Sequence, residues 1–305
     1  MNGSINSPFR YAGGKFYARK LILEHIPQHS YYVEPFAGGA SIFFAKPKVA
    51  HSVLNDVDSE LVNVYRVIQK TPNDLISFLQ KGTHESKDIP DVLLANTSDG
   101  EPLPATKELH RFFKLDFRPK NSLERAGRWF YLNRTSYSGI MNAQNMYWGY
   151  GDKYSMQPKN WAQNILRTSY KLGGVILANS DFEEVIDTAP DDSFLFVDPP
   201  YFGADQDKFY EHYFSEVDHY RLERCLRRNN SRLKIFLTYD NVPQIRQLYE
   251  WMLEFHDKEW NYCIQRTDDQ KTRSDKKGER YKGKELFVLN YSSDGMNQIQ
   301  PSFAY

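Results

Sequence analysis

FLFVDPPY, Phe194–Tyr201, starts as a buried β-strand and ends as something a strand does not tolerate. Four apolar residues in a row suit a central strand covered on both faces. Asp198, Pro199, Pro200 and Tyr201 follow without a spacer. Proline has no backbone N–H to give to a ladder, so the strand has to finish at Asp198. A carboxylate, a restrained carbonyl and an aromatic ring are thereby set at the carboxyl end of a core strand, where open α/β sheets bind ligands.

The sequence around this strand alternates strand and helix patterns. Phe16 to Ile26 reads as a helix, Tyr31 to Glu34 as a strand, Ala40 to Ala45 as a short helix and Val49 to Leu54 as a strand; Ser59 then caps a helix through Gln69. From about Thr71 to Trp161 the pattern gives way to polar loops, a basic and aromatic segment (LHRFFKLDFRPKNSLERAGRWFYLNR) and a turn-rich run. Alternation then returns with VILAN, FLFVD and KIFLTYD as strands, helices near Glu216 to Arg228 and Val242 to Leu253, and a last strand pair in EWNYCIQR and ELFVLNY. The reading is an α/β fold divided by an insertion: residues 1–70 and 162–305 form one domain and 71–161 another.

Composition narrows the function classes. Lys+Arg 39 balances Asp+Glu 39, so contact with nucleic acid has to come from local patches rather than a global basic field. Cys225 and Cys263 lie far apart without metal-site spacing, which excludes a disulfide framework and a cysteine zinc site. No apolar run reaches membrane-spanning length and the N-terminus lacks a hydrophobic signal core, so the chain reads as soluble and cytoplasmic, with no membrane partner.

VEPFAGGASIFF places a strand, a Gly38-Gly39 turn and a helix start in succession, which lets backbone approach a nucleotide-like ligand. The next strand ends in LNDVD, putting Asp56 near the distance at which dinucleotide folds set an acid on ribose hydroxyls. GGK at Gly13 to Lys15 lacks the spacing of a P-loop, so the ligand need not carry phosphate. An adenosine bearing a small zwitterion fits an acid for its ribose, Phe36 as an apolar wall and glycine backbone beside its charged end. S-adenosylmethionine is that molecule.

At the other end of the crevice, Asp198 and the Pro199 carbonyl are two acceptors. The lone pair of an exocyclic amine on a nucleobase is delocalised into the ring, and acceptors on both N–H bonds favour the pyramidal, nucleophilic form. A base inside a duplex cannot reach such a pocket and has to be flipped out, at a cost of roughly a few kcal/mol, with Tyr201 stacking on it. The plainer reading is that Asp198 caps a turn and the prolines merely end the strand.

FRYAGGK, EPFAGGASIFF, LNDVDSELVNVY, FYLNRTSYSGI, NSDF and DPPY, in this order, resemble the Dam-like (D12 class) DNA adenine-N6 methyltransferases. The resemblance implies a Rossmann-like, S-adenosylmethionine-dependent methyltransferase fold with a mixed seven-stranded sheet and an inserted, mainly helical target-recognition domain. It implies that Tyr11 and Lys15 sit beside the cofactor, that Phe36, Ala37, Gly38 and Gly39 wrap its methionine end, that Asp56 binds the ribose, and that Asp181 and Phe182 bind its adenine. Asp198, which also borders the cofactor, would handle the target adenine with Pro199, Pro200 and Tyr201. On their own terms Lys15 is equally a solvated lysine at a helix start and Phe182 part of the core. The family often reads Phe-x-Gly-x-Gly, whereas here Ala40 holds the last position.

For double-stranded DNA, Asn133 and Arg134 lead into a segment in which the resemblance makes Tyr137 a wedge between base pairs, with Ser138, Ile140 and Asn142 near base edges. Family members that read GATC usually carry arginine where Asn142 aligns, so a different adenine-containing site is expected. The basic run DQKTRSDKKGERYKGK, with Lys271, Arg273, Lys276 and Lys277, reads as a further phosphate contact. A restriction endonuclease acting on the same site is a possible partner. Methylation of the exocyclic amine of cytosine is the nearest rival, and a non-catalytic DNA-binding module is the rival of another class. Methylation at cytosine carbon-5 needs a nucleophilic thiol, and neither ERCLRR nor NYCIQ supplies the usual setting.

Overall fold

The computed structural model describes residues 3–11, 13–151, 155–202, 213–261 and 282–294. Strands β1 (Tyr31–Glu34), β2 (His51–Asn55), β3 (Ile176–Ala178), β4 (Phe194–Val197), β5 (Lys234–Asp240), β6 (Glu254–Asn261) and β7 (Lys282–Leu289) form one seven-stranded sheet in the order β3-β2-β1-β4-β5-β7-β6. The pairs from β3 through β5 are parallel, and β7 runs antiparallel to both β5 and β6. This is the mixed sheet expected of a Rossmann-like methyltransferase. It follows from the sequence pattern: β4 is buried at all four positions, as a central strand has to be.

Side-chain alternation divides the core into two layers. Tyr32, Phe194, Phe196, Phe236 and Phe287 face one side, and Val33, Leu195, Val197, Leu237 and Leu286 the other. Helices α8 (Phe182–Thr188), α9 (Glu216–Arg228) and α10 (Pro243–Leu248) contribute Ile186, Leu226 and Ile245 to the second layer. The first is covered by α1 (Arg19–Leu23), α2 (Ser41–Ala45), α3 (Ser59–Lys70) and α7 (Trp161–Leu172), and by three helices of the segment read as an insertion: α4 (Pro72–Phe78), α5 (Lys107–Leu115) and α6 (Ser122–Thr135). Phe78, Phe113 and Trp129 of that segment belong to the same continuous core as Tyr32 and Phe196. Trp161, at the downstream border of the insertion, packs edge-on against Phe130 at 5.8 Å.

Several boundaries differ from the sequence reading. Asp58, not Ser59, caps α3: its Oδ1 accepts the N–H groups of Glu60 and Leu61 at 2.9 and 3.2 Å, the favoured role of aspartate at that position. The first helix is confined to Arg19–Leu23, because nothing caps its start and residues 15–18 turn to bring Lys15 inward. The helix expected from Val242 to Leu253 is confined to Pro243–Leu248, and a turn begins at Tyr249. Strand β6 starts at Glu254, five residues before EWNYCIQR, and its charged EFHDKE run suits a sheet edge. No helix among the described residues is long and apolar enough to cross a membrane.

Candidate active site

The chain leaves β1 toward β2 on one side and leaves β4 toward β5 on the other, so a crevice opens between their carboxyl ends. Loops from both strands line it. After β1 the Ala37 N–H binds the Asn55 carbonyl at 2.7 Å, the Gly38 N–H binds Asp56 Oδ2 at 2.8 Å, and the Tyr65 hydroxyl donates to the Gly38 carbonyl at 3.0 Å. Asp56 Oδ1 accepts from the Asp58 N–H at 3.0 Å. The acid expected at the ribose is therefore also the bracket that fixes the glycine turn. Gly38 has φ +46°, and a Cβ there would lie 2.9 Å from the Tyr11 ring, so Tyr11 and Gly38 occupy one tight junction. Ala40 has φ +48°. The position where the family often has glycine is thus left-handed, and this chain holds alanine there at a backbone cost of roughly 1–2 kcal/mol.

The loops after β2 and β3 are tied to the first. Asn55 donates to the carbonyls of Pro35 and Ser180 at 2.9 and 3.0 Å and accepts from the Ser180 N–H at 2.9 Å. Asp181 caps α8 through the Glu183 N–H at 2.9 Å and pairs with Arg221 at 3.0 Å. Phe182 is buried, with ring centroids 5.3 Å from Phe36 and 5.8 Å from Phe214. Phe182 is part of the core, as its plainer reading expects, and packs against Phe36 at the edge of the crevice.

At the end of β4, Asp198 meets two donors at a single oxygen. The Lys15 ammonium lies 2.7 Å from Oδ1 and the Thr238 hydroxyl donates to the same atom at 2.7 Å. Lys15 is 3% exposed at its side chain and also donates to the Gly13 carbonyl at 3.1 Å, so it is not a solvated lysine. Asp198 is 20% exposed. With Oδ1 held, Oδ2 carries no hydrogen bond among the described residues. The Lys15 ammonium also sits 4.8 Å from the centre of the Tyr201 ring, which lies 6.0 Å from Tyr239. The Phe202 N–H binds Asp240 at 3.2 Å and closes the turn after Tyr201.

Two further acids frame this group. Glu34 ends β1, buried, accepting from the Tyr32 hydroxyl at 2.6 Å and the Phe43 N–H at 2.9 Å; burial pushes its carboxyl up to about 8. Glu285 on β7 has an ion-pair distance of 4.0 Å to Lys15. The sequence reading missed Thr238, Glu34 and Glu285. The available signal was a polar residue inside or at the end of an otherwise apolar strand: Thr238 in KIFLTYD, Glu34 in YYVE and Glu285 in ELFVL.

The segment expected to contact DNA is arranged differently. Asn133 is 0% exposed; its amide donates to the carbonyls of Arg10 and Gly139 at 2.8 and 3.2 Å and accepts from the Arg10 N–H at 3.1 Å. It clasps the N-terminal segment to the turn after α6 and has no surface to offer a base. Arg134 is buried as well, with its guanidinium on the Pro8 carbonyl at 3.3 Å, and burial holds it down to about 10. Both side chains are buried against backbone, where the sequence reading expected them on a DNA-facing surface. Tyr137 and Ser138 lie partly exposed on the turn they hold, Ser138 at φ +52°, while Ile140 is buried beside them. Gly139 has φ +71°, and a Cβ there would lie 2.3 Å from the Arg10 carbonyl oxygen. The run MYWGY packs this turn, with the Tyr137 N–H on the Tyr147 carbonyl at 2.8 Å. Asn142 Oδ1 accepts from the Gln144 N–H at 3.0 Å, stabilising a local turn. Lys271, Arg273, Lys276 and Lys277 lie outside the described residues.

Comparison with known proteins places this arrangement. Over 304 residues the chain is 27% identical to the type II methyltransferase M1.LlaDCHI of Lactococcus lactis subsp. cremoris, covering 94% of this chain and 96% of that protein. It is 25% identical over 289 residues to the type II methyltransferase M.CviBI of a Paramecium bursaria Chlorella virus, covering 92% and 98%. It is 28% identical over 251 residues to the DNA N-6-adenine-methyltransferase of Escherichia phage P1, covering 80% of this chain and 31% of that longer protein. Residues 11–264 match the D12 class N6 adenine-specific DNA methyltransferases as a family, a span that holds the glycine turn, the inserted segment and Asp198–Tyr201. The chain belongs to the D12 class N6 adenine-specific DNA methyltransferase family.

Proposed function

We propose that this DNA adenine methyltransferase takes its methyl group from S-adenosylmethionine and transfers it to the N6 amine of an adenine flipped out of duplex DNA onto Asp198–Tyr201. The observation that carries the reading is the asymmetry of Asp198. Lys15 and Thr238 both hold Oδ1, which leaves Oδ2 as the acceptor for a substrate amine. An amine N–H donating to Oδ2, with the second N–H on the Pro199 carbonyl, has its lone pair turned out of conjugation at no reorganisation cost. Tyr201, steadied by Lys15 over its ring, supplies the face on which the base stacks.

The residues present fit the cofactor. The glycine turn gives close backbone approach, Asp56 stands at the end of β2 for the ribose, and Phe36 packed on Phe182 offers an apolar surface against which an adenine ring would lie. Asp181 borders that surface. S-adenosylmethionine supplies an electrophilic methyl carbon. With the cofactor held there, Asp198 Oδ2 and the Pro199 carbonyl would hold the amine in line with that methyl carbon, and the proton that N6 loses on methylation would pass to solvent.

On this reading residues 1–70 and 162–305 are the catalytic part and 71–161 carries target recognition, presenting Tyr137, Ser138 and Asn142 on the turn that Asn133 and Arg134 hold. Two relatives carry the name type II methyltransferase, and an endonuclease of the same site is the partner that such a setting brings. The test is incubation of the purified protein with labelled S-adenosylmethionine and duplex DNA, followed by nucleoside mass spectrometry. N6-methyladenine is the expected product; N4-methylcytosine would refute the target base. Calorimetry showing no binding of S-adenosylmethionine would refute the cofactor.

A further inference from the structure

Glu285 lies outside the residues that match the family, on the one strand that runs against the others. The sheet register explains how it reaches the site. Phe196 pairs with Phe236, so Asp198 and Thr238 follow two residues later on the same face; Thr238 pairs with Phe287 and Asp240 with Glu285. Three neighbouring strands thus bring Asp198, Thr238, Asp240 and Glu285 to one edge. Lys15 comes down over them from the N-terminal segment.

Glu285 is 1% exposed, and neither of its oxygens has a hydrogen bond among the described residues. A buried carboxyl without hydrogen bonds is costly and rare in native proteins. Burial is the main reason its pKa is pushed up to about 8; Lys15 and Tyr201 act in the opposite direction, and Asp198 and Asp240 add to the rise. The Lys15 ammonium lies 4.0 Å away and is also paired with Asp198. Across β6, Lys258 pairs in register with Glu285.

We propose that Glu285 is a positioning residue for methyl transfer: its carboxylate draws the Lys15 ammonium from below, so that Lys15 and Thr238 together hold Asp198 with Oδ2 toward the target amine. The proposal rests on the reading of Asp198 given above. Lys15 stands between two acids, and the share of its charge taken by Glu285 sets how firmly it grips Asp198. With Glu285 protonated, Lys15 loses the second charge that fixes where its ammonium stands, and Asp198 is held less rigidly. The charged form of Glu285 is the one that works, so turnover rises as pH climbs through about 8.

The experiment compares Glu285→Gln and Glu285→Asp with wild type, measuring kcat, KM for S-adenosylmethionine and the pH profile of kcat, with thermal melts in parallel. Glu285→Gln keeps the shape without the charge; kcat should fall about 10- to 100-fold, with KM for S-adenosylmethionine changing less than about threefold. Its profile should lack the rise near pH 8 expected of wild type. Glu285→Asp, which restores the charge one methylene short, should fall between the two. A purely structural role would lower the melting point and leave the pH profile of the folded fraction unmoved, and that outcome overturns the proposal, as does a Gln variant with wild-type kcat. If Glu285→Gln does not fold, Glu285→Asp decides: a kcat and pH midpoint equal to wild type would overturn it. Absence of N6 methylation by the wild-type protein would overturn instead the reading on which it rests.

Discussion

Two polar clusters flank the crevice, and they use their side chains in opposite ways. Around Asp198, side chains hold another side chain: Lys15 and Thr238 converge on one carboxylate oxygen, and its partner oxygen has no hydrogen bond among the described residues. Around Asn133, a side chain holds backbone: one amide satisfies Arg10 twice and Gly139 once, with its NH2 group donating to both carbonyls. The first cluster is built to present a group, the second to shape a turn. Residues can therefore belong to a functional motif for two unrelated physical reasons, and only the direction of their hydrogen bonds separates them.

The strongest way to break this contrast is at Asp198. Asp198→Asn keeps volume and one carbonyl oxygen but replaces the other oxygen with an amide donor. Loss of one preorganised acceptor is expected to cost about 100- to 1000-fold in kcat, with cofactor affinity measurable and melting still cooperative. Single-turnover methyl transfer at saturating S-adenosylmethionine checks it. Near-normal turnover would mean that Asp198 only caps the strand end.

The matching experiment on the other cluster is Asn133→Ala. It leaves the Arg10 N–H and two carbonyls without their partner in a buried place, at an expected cost of roughly 2–4 kcal/mol in stability. DNA affinity should fall with the turn, while KM for S-adenosylmethionine changes little. A variant with wild-type melting behaviour and altered sequence preference would instead return Asn133 to the DNA surface.

The two clusters also differ in how well the sequence discloses them. DPPY was legible because an aspartate and two prolines contradict the strand they follow, and such a contradiction has few structural uses. The α/β alternation, β1, β4, β5 and the Glu216–Arg228 helix were legible from periodicity alone. Asn133 and Arg134 were not, since polar residues beside an aromatic helix look alike whether they point to solvent or into a backbone clasp. Thr238 and Glu285 were hidden for a related reason: their meaning depends on register between strands distant in sequence, which no local pattern carries. The cap of α3 was misplaced by one residue because Asp58 and Ser59 are both good caps.

A smaller effect tests the glycine turn. Gly38→Ala places a methyl against Tyr11 in a left-handed conformation and should cost about 1–2 kcal/mol, raising KM for S-adenosylmethionine. Ala40→Gly is the opposite change at a neighbouring left-handed position, and it should stabilise the protein by roughly 0.5–1 kcal/mol in a urea titration. If both changes destabilise equally, the turn is governed by packing rather than by backbone conformation.

The smallest expected effect concerns charge rather than geometry. If Asp198 presents and Asn133 shapes, sequence-independent attraction for DNA has to come from elsewhere in a chain whose charges balance, and the basic run holding Lys271, Arg273, Lys276 and Lys277 is the densest positive stretch. Each phosphate contact removed should reduce the slope of log affinity against log salt by about 0.9, because one fewer condensed counterion is released. Replacing these four with alanine should then flatten the slope and weaken binding to all duplexes alike, with kcat at saturating DNA unchanged. Fluorescence anisotropy across a salt series measures it. A variant that loses discrimination between sites while keeping its salt slope would show that the run reads bases, and would move sequence recognition away from the turn that Asn133 holds.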